Sequence, residues 1–338
     1  MINLDFLADI LLYGTTVSVV SFLCVLILTP RLIKLLTTKG EVVQDYHKPE
    51  RPSVPRPAGP AIAAGIGAAE AILYIFTWDV RVLAIMFTSM IAFVIGYIDD
   101  KRVMPGWFKP VALIAAGLPL IGLGAHDNYL NLIFGTAFIP LLYIPLILII
   151  LPVVGNTINS IDVLNGAVSG FVIIASIPLL VSIAIFGDNT VLIAALPIFF
   201  ATLAFYRFHK YPSKIFPGDS GTLLLGAVYG SVAIAGNSEI IGVIALLPAV
   251  MNSFLFLSSV KRIVEHRQVT SRPTKLTQDF KLAASPEQSA PVTLLRLILT
   301  AGPLFERKIV LQIFVLASFS AVLSFASILI QYYFQALQ

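Results

Sequence analysis

Two adjacent carboxylates, Asp99 and Asp100, follow an apolar run and are the first candidates for chemistry. Two like charges at the C-terminal end of a helix are unfavourable for each other and for the helix dipole, so a cation should lie nearby. Lys101 and Arg102 can supply that charge, which is the structural interpretation. A divalent metal or a proton-transfer role is the functional interpretation. The pair alone does not decide between the two.

A second polar segment, Asn156 to Gly166, directly follows another apolar stretch. Asn156, Asn159, Asp162 and Asn165 recur at every third position, so on a helix they would form one slanted polar stripe. In a bilayer such a stripe must line a cavity or a wet groove, because lipid would leave the amides and the carboxylate without hydrogen-bond partners. Helix–helix contacts through the Asn side chains are the alternative.

A third acid, Asp219, lies in the glycine-flanked segment Phe216-Pro-Gly218-Asp219-Ser-Gly221, which opens a further apolar run. An Asp at this position can be an ordinary helix N-cap. If the three acidic segments meet on one membrane face, however, their oxygens could bind Mg²⁺ together with phosphate oxygens and water.

Basic residues occupy the same polar segments. Carboxylates and a metal ion beside Lys and Arg suit an anionic, phosphorylated substrate. The sequence has no P-loop, no G-x-G-x-x-G and no H-E-x-x-H, so it offers no support for an ATPase, a dinucleotide enzyme or a zincin. The basic candidates are Lys48, Arg51, Arg56, Lys109, Arg272 and Lys275.

The elements that must position these residues are membrane helices. Of 338 residues, 58% are hydrophobic and 12% charged, and the mean hydropathy is +0.92, which excludes a soluble enzyme or a nucleic-acid module. The sequence predicts an all-α, polytopic membrane protein, read as a single domain over 1–338 with a long loop at about 261–307. The ten predicted spans are about 7–30, 58–77, 81–98, 109–124, 138–155, 166–186, 190–206, 220–236, 239–260 and 308–334.

Charge distribution predicts the sidedness of these spans. An even number places both termini on one side, and all the basic residues apart from Arg81 then fall on the opposite face. By the positive-inside rule that face is cytoplasmic, so both termini are expected outside and the long polar loops inside. The acidic start, Met1 to Leu12, is read as part of the first helix rather than as a signal peptide. Glu70, within the second predicted span, is left out of the site, because a buried structural Glu is at least as good an interpretation.

The order and sidedness of these segments resemble the polyprenyl-phosphate N-acetylhexosamine-1-phosphate transferases, over nearly the whole chain. Val54-Pro-Arg56-Pro-Ala-Gly59 is similar to the family's first-loop motif, with Ala58 in place of a glycine. Asp99-Asp100 matches the aspartate pair, and Val103 stands where many bacterial members have a further Asp. Asn156 to Gly166 is similar to the family's Asn- and Asp-rich signature, with Val163 in place of the usual glycine.

The resemblance implies roles for individual residues. It implies metal binding by Asp219 with Asn159 nearby, stacking of Phe216 on uracil, contact of Asn165 with the uracil edge, and phosphate binding by Lys109. Asp162 takes the place of a bacterial catalytic aspartate, and Asp99 or Asp100 is either a base or a positioning group. The remaining implied substrate contacts are those of Arg56, Asn156, Arg272 and Lys275.

The implied activity is Mg²⁺-dependent transfer of N-acetylhexosamine-1-phosphate, with Mn²⁺ as an alternative ion, from a UDP-sugar to a polyprenyl or dolichyl phosphate. Ser271-Arg272-Pro-Thr-Lys275 is closer to the eukaryotic Arg-rich motif than to the bacterial His-rich one, which favours N-acetylglucosamine and an archaeal cell membrane. A phospho-N-acetylmuramoyl-pentapeptide translocase is the alternative within the family, and a secondary transporter the alternative outside it. A homodimer is compatible with the sequence, whereas a nucleic-acid partner is not expected.

Overall fold

The computed structural model describes residues 10–48, 50–102, 104–261 and 271–336, and helices dominate this part of the chain. The start of the first predicted span, Val103 and part of the 261–307 loop lie outside the described residues. The helices are α1 (Thr15–Thr38, after a π-helical turn at Ile10–Gly14), α2 (Gly59–Thr77), α3 (Val80–Lys101), α4 (Phe108–Ala116), α5 (Leu118–Gly122), α6 (Pro140–Ser160), α7 (Ala167–Phe186), α8 (Asn189–His209), α9 (Gly218–Ala235), α10 (Glu239–Ala245), α11 (Leu247–Val260), α12 (Leu294–Ile298) and α13 (Glu306–Ala336).

The prediction of a polytopic, mostly helical membrane protein is confirmed. Within the described residues, seven helices are long and apolar enough to cross a membrane, or eight if the bent pair of α10 and α11 forms one span. Each of the seven overlaps a predicted span. The predicted count of ten is not reached by length and apolar character. Three of the predicted spans, 109–124, 220–236 and 239–260, are not among the seven helices.

Proline and glycine explain two of these three differences. The predicted span 109–124 is divided between α4 and α5, where Gly117 ends one helix and Pro119 lies in the first turn of the next. The predicted span 239–260 bends by 71° between α10 and α11, and Pro248 begins the second half. Proline favours the first turn of a helix and disfavours its interior, because it has no N–H to donate. The third, 220–236, is a continuous helix, α9, that is outside the seven.

Three antiparallel hairpins correct the strictly all-α expectation. One lies between α1 and α2, one between α5 and α6, and one in the loop predicted at about 261–307. In the first, Val42 pairs with Pro55, which brings the segment before α2 back to the end of α1. The strands are β1 (Val42–Gln44), β2 (Ser53–Pro55), β3 (Tyr129–Leu132), β4 (Gly135–Phe138), β5 (Thr274–Leu276) and β6 (Leu282–Ala284).

Helix α9 is the centre of the fold. All of its residues are buried, and it packs against α2, α3, α6 and α8. Small residues permit the closest approaches: a Cβ added to Gly226 would lie 2.6 Å from Cα of Gly155 on α6. A Cβ added to Gly96 of α3 would lie 2.5 Å from the carbonyl oxygen of Asp219. The start of α9, which carries Asp219, is therefore held directly against the end of α3, which carries the aspartate pair.

Candidate active site

The polar segments predicted to carry chemistry meet at one cavity of about 780 Å³. Its wall includes the β1–β2 link, the start of α4, the α6–α7 link, the start of α9 and the β5–β6 hairpin, together with residues of α11, α12 and α13. Segments far apart in sequence thus contribute to one space. Nine of the predicted site residues line it, namely Arg56, Lys109, Asn159, Asp162, Asn165, Phe216, Asp219, Arg272 and Lys275.

Asp219 is the centre of a buried cluster of charges at this cavity. Its carboxylate accepts hydrogen bonds from Arg56 at 2.8 Å and from the Lys109 ammonium at 2.9 Å. Arg56 also reaches Asp100 at 3.0 Å, and Lys109 lies 3.0 Å from Asp99. Since charges removed from water must be compensated within the protein, these five side chains depend on one another. The cation that the aspartate pair requires is therefore supplied by Arg56 and Lys109, whereas the adjacent Lys101 pairs with Glu41.

Asp100 caps helix α9. Its Oδ1 accepts the backbone N–H of Asp219 at 2.9 Å, and its Oδ2 accepts the backbone N–H of Ser220 at 2.9 Å. The Ser220 hydroxyl donates to the same Oδ2 at 2.6 Å. The first N–H groups of a helix have no partner within the helix, so a carboxylate from α3 satisfies them and favours the positive end of the dipole. With both oxygens engaged, Asp100 is arranged as a positioning group rather than as a base.

Asp99 has a similar arrangement. One oxygen pairs with Lys109, and the other accepts the Met104 backbone N–H at 3.2 Å. The side chain is buried and does not line the cavity. Of the two alternatives left open by the sequence, the geometry again favours positioning, here of Lys109.

Asn159 and Asp219 provide oxygen atoms that could hold a divalent ion. The Asn159 Oδ1 already accepts the Thr222 hydroxyl at 2.7 Å, and one lone pair remains for a second partner. No group of three or more His, Cys, Asp or Glu side chains able to hold a metal occurs within the described residues. This donor set fits Mg²⁺ of the kind held by one or two protein oxygens together with substrate phosphates, and does not form an all-protein cage.

Asp162 lies in the turn between α6 and α7, with its neighbours Ile161 and Leu164 buried. Burial raises the pKa of the Asp162 carboxyl to about 7; the positive charge of Arg56 opposes the shift, and the negative charges of Asp219 and Asp100 add to it. At neutral pH this carboxyl can therefore either hold or release a proton at the cavity wall.

The raised pKa of Asp162 predicts a pH-dependent stability. An unfolded Asp has a pKa of about 3.9, so the folded chain binds the proton more tightly and the associated stability is present at low pH. As the pH rises from about 4 through about 7, wild type should lose thermal stability relative to Asp162→Asn. Thermal unfolding of both proteins in detergent across this range measures the difference, with the exposed Asp279→Asn as a control. A wild-type-to-variant difference that does not change with pH would contradict the prediction.

Asn165 is held in a buried network that the sequence did not reveal. Its Oδ1 accepts the Lys48 ammonium at 2.8 Å and the Ser213 N–H at 2.7 Å, and its Nδ2 donates to Asp45 at 3.1 Å. Burial would raise the pKa of Asp45, but hydrogen bonds from Lys48 and Asn165, with the charge of Lys48, hold that pKa below its ordinary value. A ligand contact through the Asn165 side chain would have to be made in addition to these bonds or in exchange for them.

Glu306 completes this network. Its Oε1 accepts the Asn165 backbone N–H at 2.7 Å, which ties the start of α13 to the α6–α7 link. A lone acid before a final apolar run gives no signal for such a contact. The basic residues of its loop made Lys48 a candidate in the sequence, whereas no sequence pattern marked Asp45 or Glu306.

Phe216 lines the cavity close to Asp219. Its backbone N–H donates to the Pro55 carbonyl at 3.0 Å, so the β1–β2 hairpin fixes the segment before α9. Gly218 has φ +71°, and an added Cβ would meet Pro57 at 2.5 Å and the Asp100 carboxylate at 2.7 Å. Only glycine therefore allows the chain to turn from Phe216 into the capped helix.

Two predicted residues of the long loop, Arg272 and Lys275, line the cavity from the β5–β6 hairpin. Both are exposed, and neither has an acidic partner within the described residues. They are thus cations available to an anionic ligand.

Asn156 is not brought to the cavity. Its side chain donates to the Pro152 carbonyl of its own helix at 2.8 Å. The three-residue repeat predicted one continuous stripe, but the helix ends at Ser160 and the following turn changes the direction of the chain. Glu70 is likewise absent from the cavity wall; it is fully buried, and its carboxylate oxygens have no hydrogen-bond partner within the described residues.

Comparison with known proteins agrees with this arrangement. Residues 82–237, from α3 to the end of α9, match the model of glycosyl transferase family 4. This stretch contains the aspartate pair, Lys109, the α6–α7 link and Asp219. The match covers just under half of the chain and agrees with the family resemblance found in the sequence.

Individual relatives share 29% identity with this chain. A Methanocaldococcus jannaschii protein, provisionally named a glycosyltransferase, is 29% identical over 90% of this chain and 93% of its own length. A Saccharolobus solfataricus protein, provisionally named a UDP-N-acetylglucosamine–dolichyl-phosphate N-acetylglucosaminephosphotransferase, is 29% identical over 75% of this chain and 80% of its own. A Bacillus subtilis protein, provisionally named an undecaprenyl-phosphate N-acetylglucosaminyl 1-phosphate transferase, is 29% identical over 64% of this chain, and the match spans 62% of that protein.

Proposed function

We propose that this protein transfers N-acetylglucosamine-1-phosphate from UDP-N-acetylglucosamine to a polyprenyl or dolichyl phosphate, releasing UMP. The observation that carries the proposal is the buried cluster of Asp219, Arg56 and Lys109 at a cavity lined by segments far apart in sequence. Such an arrangement of acids and bases suits a pyrophosphate. The product would be the first lipid-linked intermediate of glycan assembly.

The chain's own residues would act chiefly by positioning. Arg56 and Lys109 would turn their positive charges from Asp219 toward phosphate oxygens, while Asp99 and Asp100 keep both cations in place. A lipid phosphate, with a second pKa near 6, is already largely dianionic at neutral pH, so a strong base is not required. An oxygen of this phosphate would attack the β-phosphorus, and UMP would leave. Asp162 can hold or release a proton at the cavity wall during this exchange.

Mg²⁺ is part of the proposal. Asp219 and Asn159 would hold it, with Mn²⁺ as a substitute, and when bound it would neutralise charge on the pyrophosphate and on departing UMP. The donor set described above supports this assignment, because it leaves the remaining ligand positions to phosphate oxygens and water.

The proposed topology places the cavity on the cytoplasmic face of an archaeal cell membrane, with both termini outside and ten spans in all. Helices α9 and the α4–α5 pair would count among the ten although they are less apolar or shorter than the others. The positive-inside rule and the archaeal relatives support this placement. A homodimer is compatible with the proposal.

A panel of substrates tests the function directly. Purified protein would be incubated with UDP-sugars and polyprenyl phosphates, and lipid products identified by mass spectrometry. The proposal expects a GlcNAc-diphosphate lipid and UMP. A product only with UDP-MurNAc-pentapeptide would instead establish the muramoyl-pentapeptide alternative, which relatives at 25–26% identity bring into consideration. No lipid product with any donor would contradict the proposal.

Phe216→Ala is expected to raise the KM for the UDP-sugar about tenfold or more and to lower kcat less. The backbone bond to Pro55 remains, so the change removes only the ring at the cavity wall, and stacking of a base on an aromatic ring contributes about 1–3 kcal/mol. Calorimetric affinity for UMP checks the result, with Phe254→Ala as a control because Phe254 is 69% exposed on α11. Unchanged UMP affinity would contradict a stacking role.

Arg272→Lys distinguishes two roles of Arg272. Its guanidinium could bind the donor substrate directly as a clamp, or its positive charge could only orient the loop. The substitution keeps the positive charge but loses the two-pronged guanidinium, so a clamp on the pyrophosphate or sugar side should lose transfer at least about tenfold, or ~1.4 kcal/mol. Initial rates of transfer measure the loss. Full activity of Arg272→Lys together with full activity of Lys275→Ala would leave the hairpin with an orienting role only.

A further inference from the structure

A buried histidine lies directly behind the cavity wall. His209, the last residue of α8, has no exposed surface. Its ring stacks on Phe205 with centroids 5.2 Å apart and meets Phe216 edge-on at 6.4 Å. It does not line the cavity itself, and nothing in the sequence marks it, because a single His at the end of an apolar run is an ordinary feature.

The two ring nitrogens of His209 face different groups. Nδ1 is 2.8 Å from the hydroxyl of Ser169, in the first turn of α7. Nε2 is 3.7 Å from Oδ1 of Asp162 and has no hydrogen-bond partner within the described residues. Buried nitrogen atoms of this kind are rarely left unpaired in folded proteins. The orphaned nitrogen points toward the one cavity acid that no other described side chain holds by a hydrogen bond.

Ser169 can donate a hydrogen bond to Nδ1 of His209 or accept one from it. Its hydroxyl has a single hydrogen, and the two possible acceptors are His209 Nδ1 at 2.8 Å and the Gly166 carbonyl at 3.4 Å. An unprotonated Nε2 would turn its lone pair toward the Asp162 carboxylate oxygen, so the tautomer with the proton on Nε2 is favoured and Ser169 then donates to Nδ1. Nε2–H then faces the Asp162 carboxylate, and closing the gap by about 0.7 Å would make an ordinary hydrogen bond.

We infer that His209 is a positioning residue whose imidazole, oriented by Ser169, holds the Asp162 carboxylate toward the phosphates of the substrate, a role that rests on the proposed function. Among the described side chains, no other donor is placed to fix the rotamer of Asp162. The ring also contacts Phe216, so one side chain supports both the acid and the aromatic wall of the cavity.

The tautomer is measured independently of activity. The chain has 4 histidines, so ¹⁵N-His spectra of the whole protein in nanodiscs are simple, and the signals missing in His209→Gln identify the residue. At about pH 8 the inference expects protonation at Nε2 in wild type, because Asp162 is then ionised. Ser169→Ala should mix the two tautomers. Ser176 is a buried serine on the same helix whose hydroxyl donates to the Ile173 carbonyl, and Ser176→Ala should leave the spectrum unchanged. Protonation at Nδ1 in wild type would overturn the inference.

Kinetics separates positioning from packing. Gln places an amide nitrogen where His has Nε2 and can reach Asp162, Asn replaces only the Nδ1 contact with Ser169, and Phe keeps the ring stacking alone. The expected result is that His209→Gln stays within about threefold of wild type, whereas the Asn and Phe variants lose about tenfold in kcat with KM within about twofold. His209→Phe should cost nothing further in an Asp162→Asn background.

Equal losses in the Gln, Asn and Phe variants, or full additivity with Asp162→Asn, would overturn the inference. If wild type transferred no sugar phosphate, the proposed function would fail, and the spectra alone would then decide whether His209 presents its proton to Asp162.

Discussion

Asp219→Asn is expected to reduce transfer by about a thousandfold, or ~4 kcal/mol, while the protein still folds. Asp219 lies between the two cations of the cluster, at 2.8 Å from Arg56 and 2.9 Å from Lys109. The amide keeps the shape of the side chain but removes the charge that holds these cations and that would bind the metal. Initial rates at saturating substrate measure the loss.

Two controls make the Asp219 result interpretable. Asp279→Asn removes an exposed carboxylate from the same face and should leave the rate unchanged. Gel-filtration profile and thermal unfolding in detergent establish that the variant is folded, and UMP affinity establishes that the cavity persists. Wild-type turnover of folded Asp219→Asn at ordinary Mg²⁺ concentrations would contradict both the metal assignment and the central place of this carboxylate.

Gly96→Ala should inactivate the protein without removing any chemical group from the site. The added methyl would lie 2.5 Å from the Asp219 carbonyl oxygen and 2.6 Å from Cα of Ser220, so α3 and α9 must separate. This separation breaks the hydrogen bonds by which Asp100 caps α9, and it moves Asp100 and Asp219 relative to Arg56. Overpacking of this kind costs about 1–3 kcal/mol of stability, and misplacement of catalytic groups by about 1 Å can cost a hundredfold in rate.

Gly122→Ala is the matched control for Gly96→Ala. It adds the same methyl to a helical glycine where no atom lies within 4 Å. Transfer rate and melting temperature should fall in Gly96→Ala and remain unchanged in Gly122→Ala. Equal behaviour of the two variants would show that the close contact between α3 and α9 does not position the site.

The sequence predicted the site's members better than their contacts. Apolar runs separate the polar segments, and their alternating sidedness was enough to expect Asp162, Asp219 and Lys109 on one face. The pairing of Lys109 with Asp219, and the use of Asp100 as a cap for another helix, depend on packing between distant helices. No local pattern reports such packing.

For the fold, too, the sequence predicted the main elements better than the details that depend on local geometry. Hydropathy located the long helices, because burial in lipid requires continuous apolar runs. It did not predict the 71° bend between α10 and α11 or the division of α4 from α5, where a proline in the first turn of a new helix decides the break. The three hairpins were missed for a different reason: strands of three or four residues are too short to show a periodic pattern.

Transfer of the β-phosphate tests the central claim most directly. UDP-GlcNAc carrying ³²P at the β-phosphorus would be incubated with purified protein and polyprenyl phosphate, and the label followed into the organic phase. Sugar-1-phosphate transfer predicts that the β-label enters the lipid, while an α-label remains in water as UMP. If the β-label stayed in water as UDP, or if neither label entered lipid, the protein would not be a sugar-phosphate transferase with this donor.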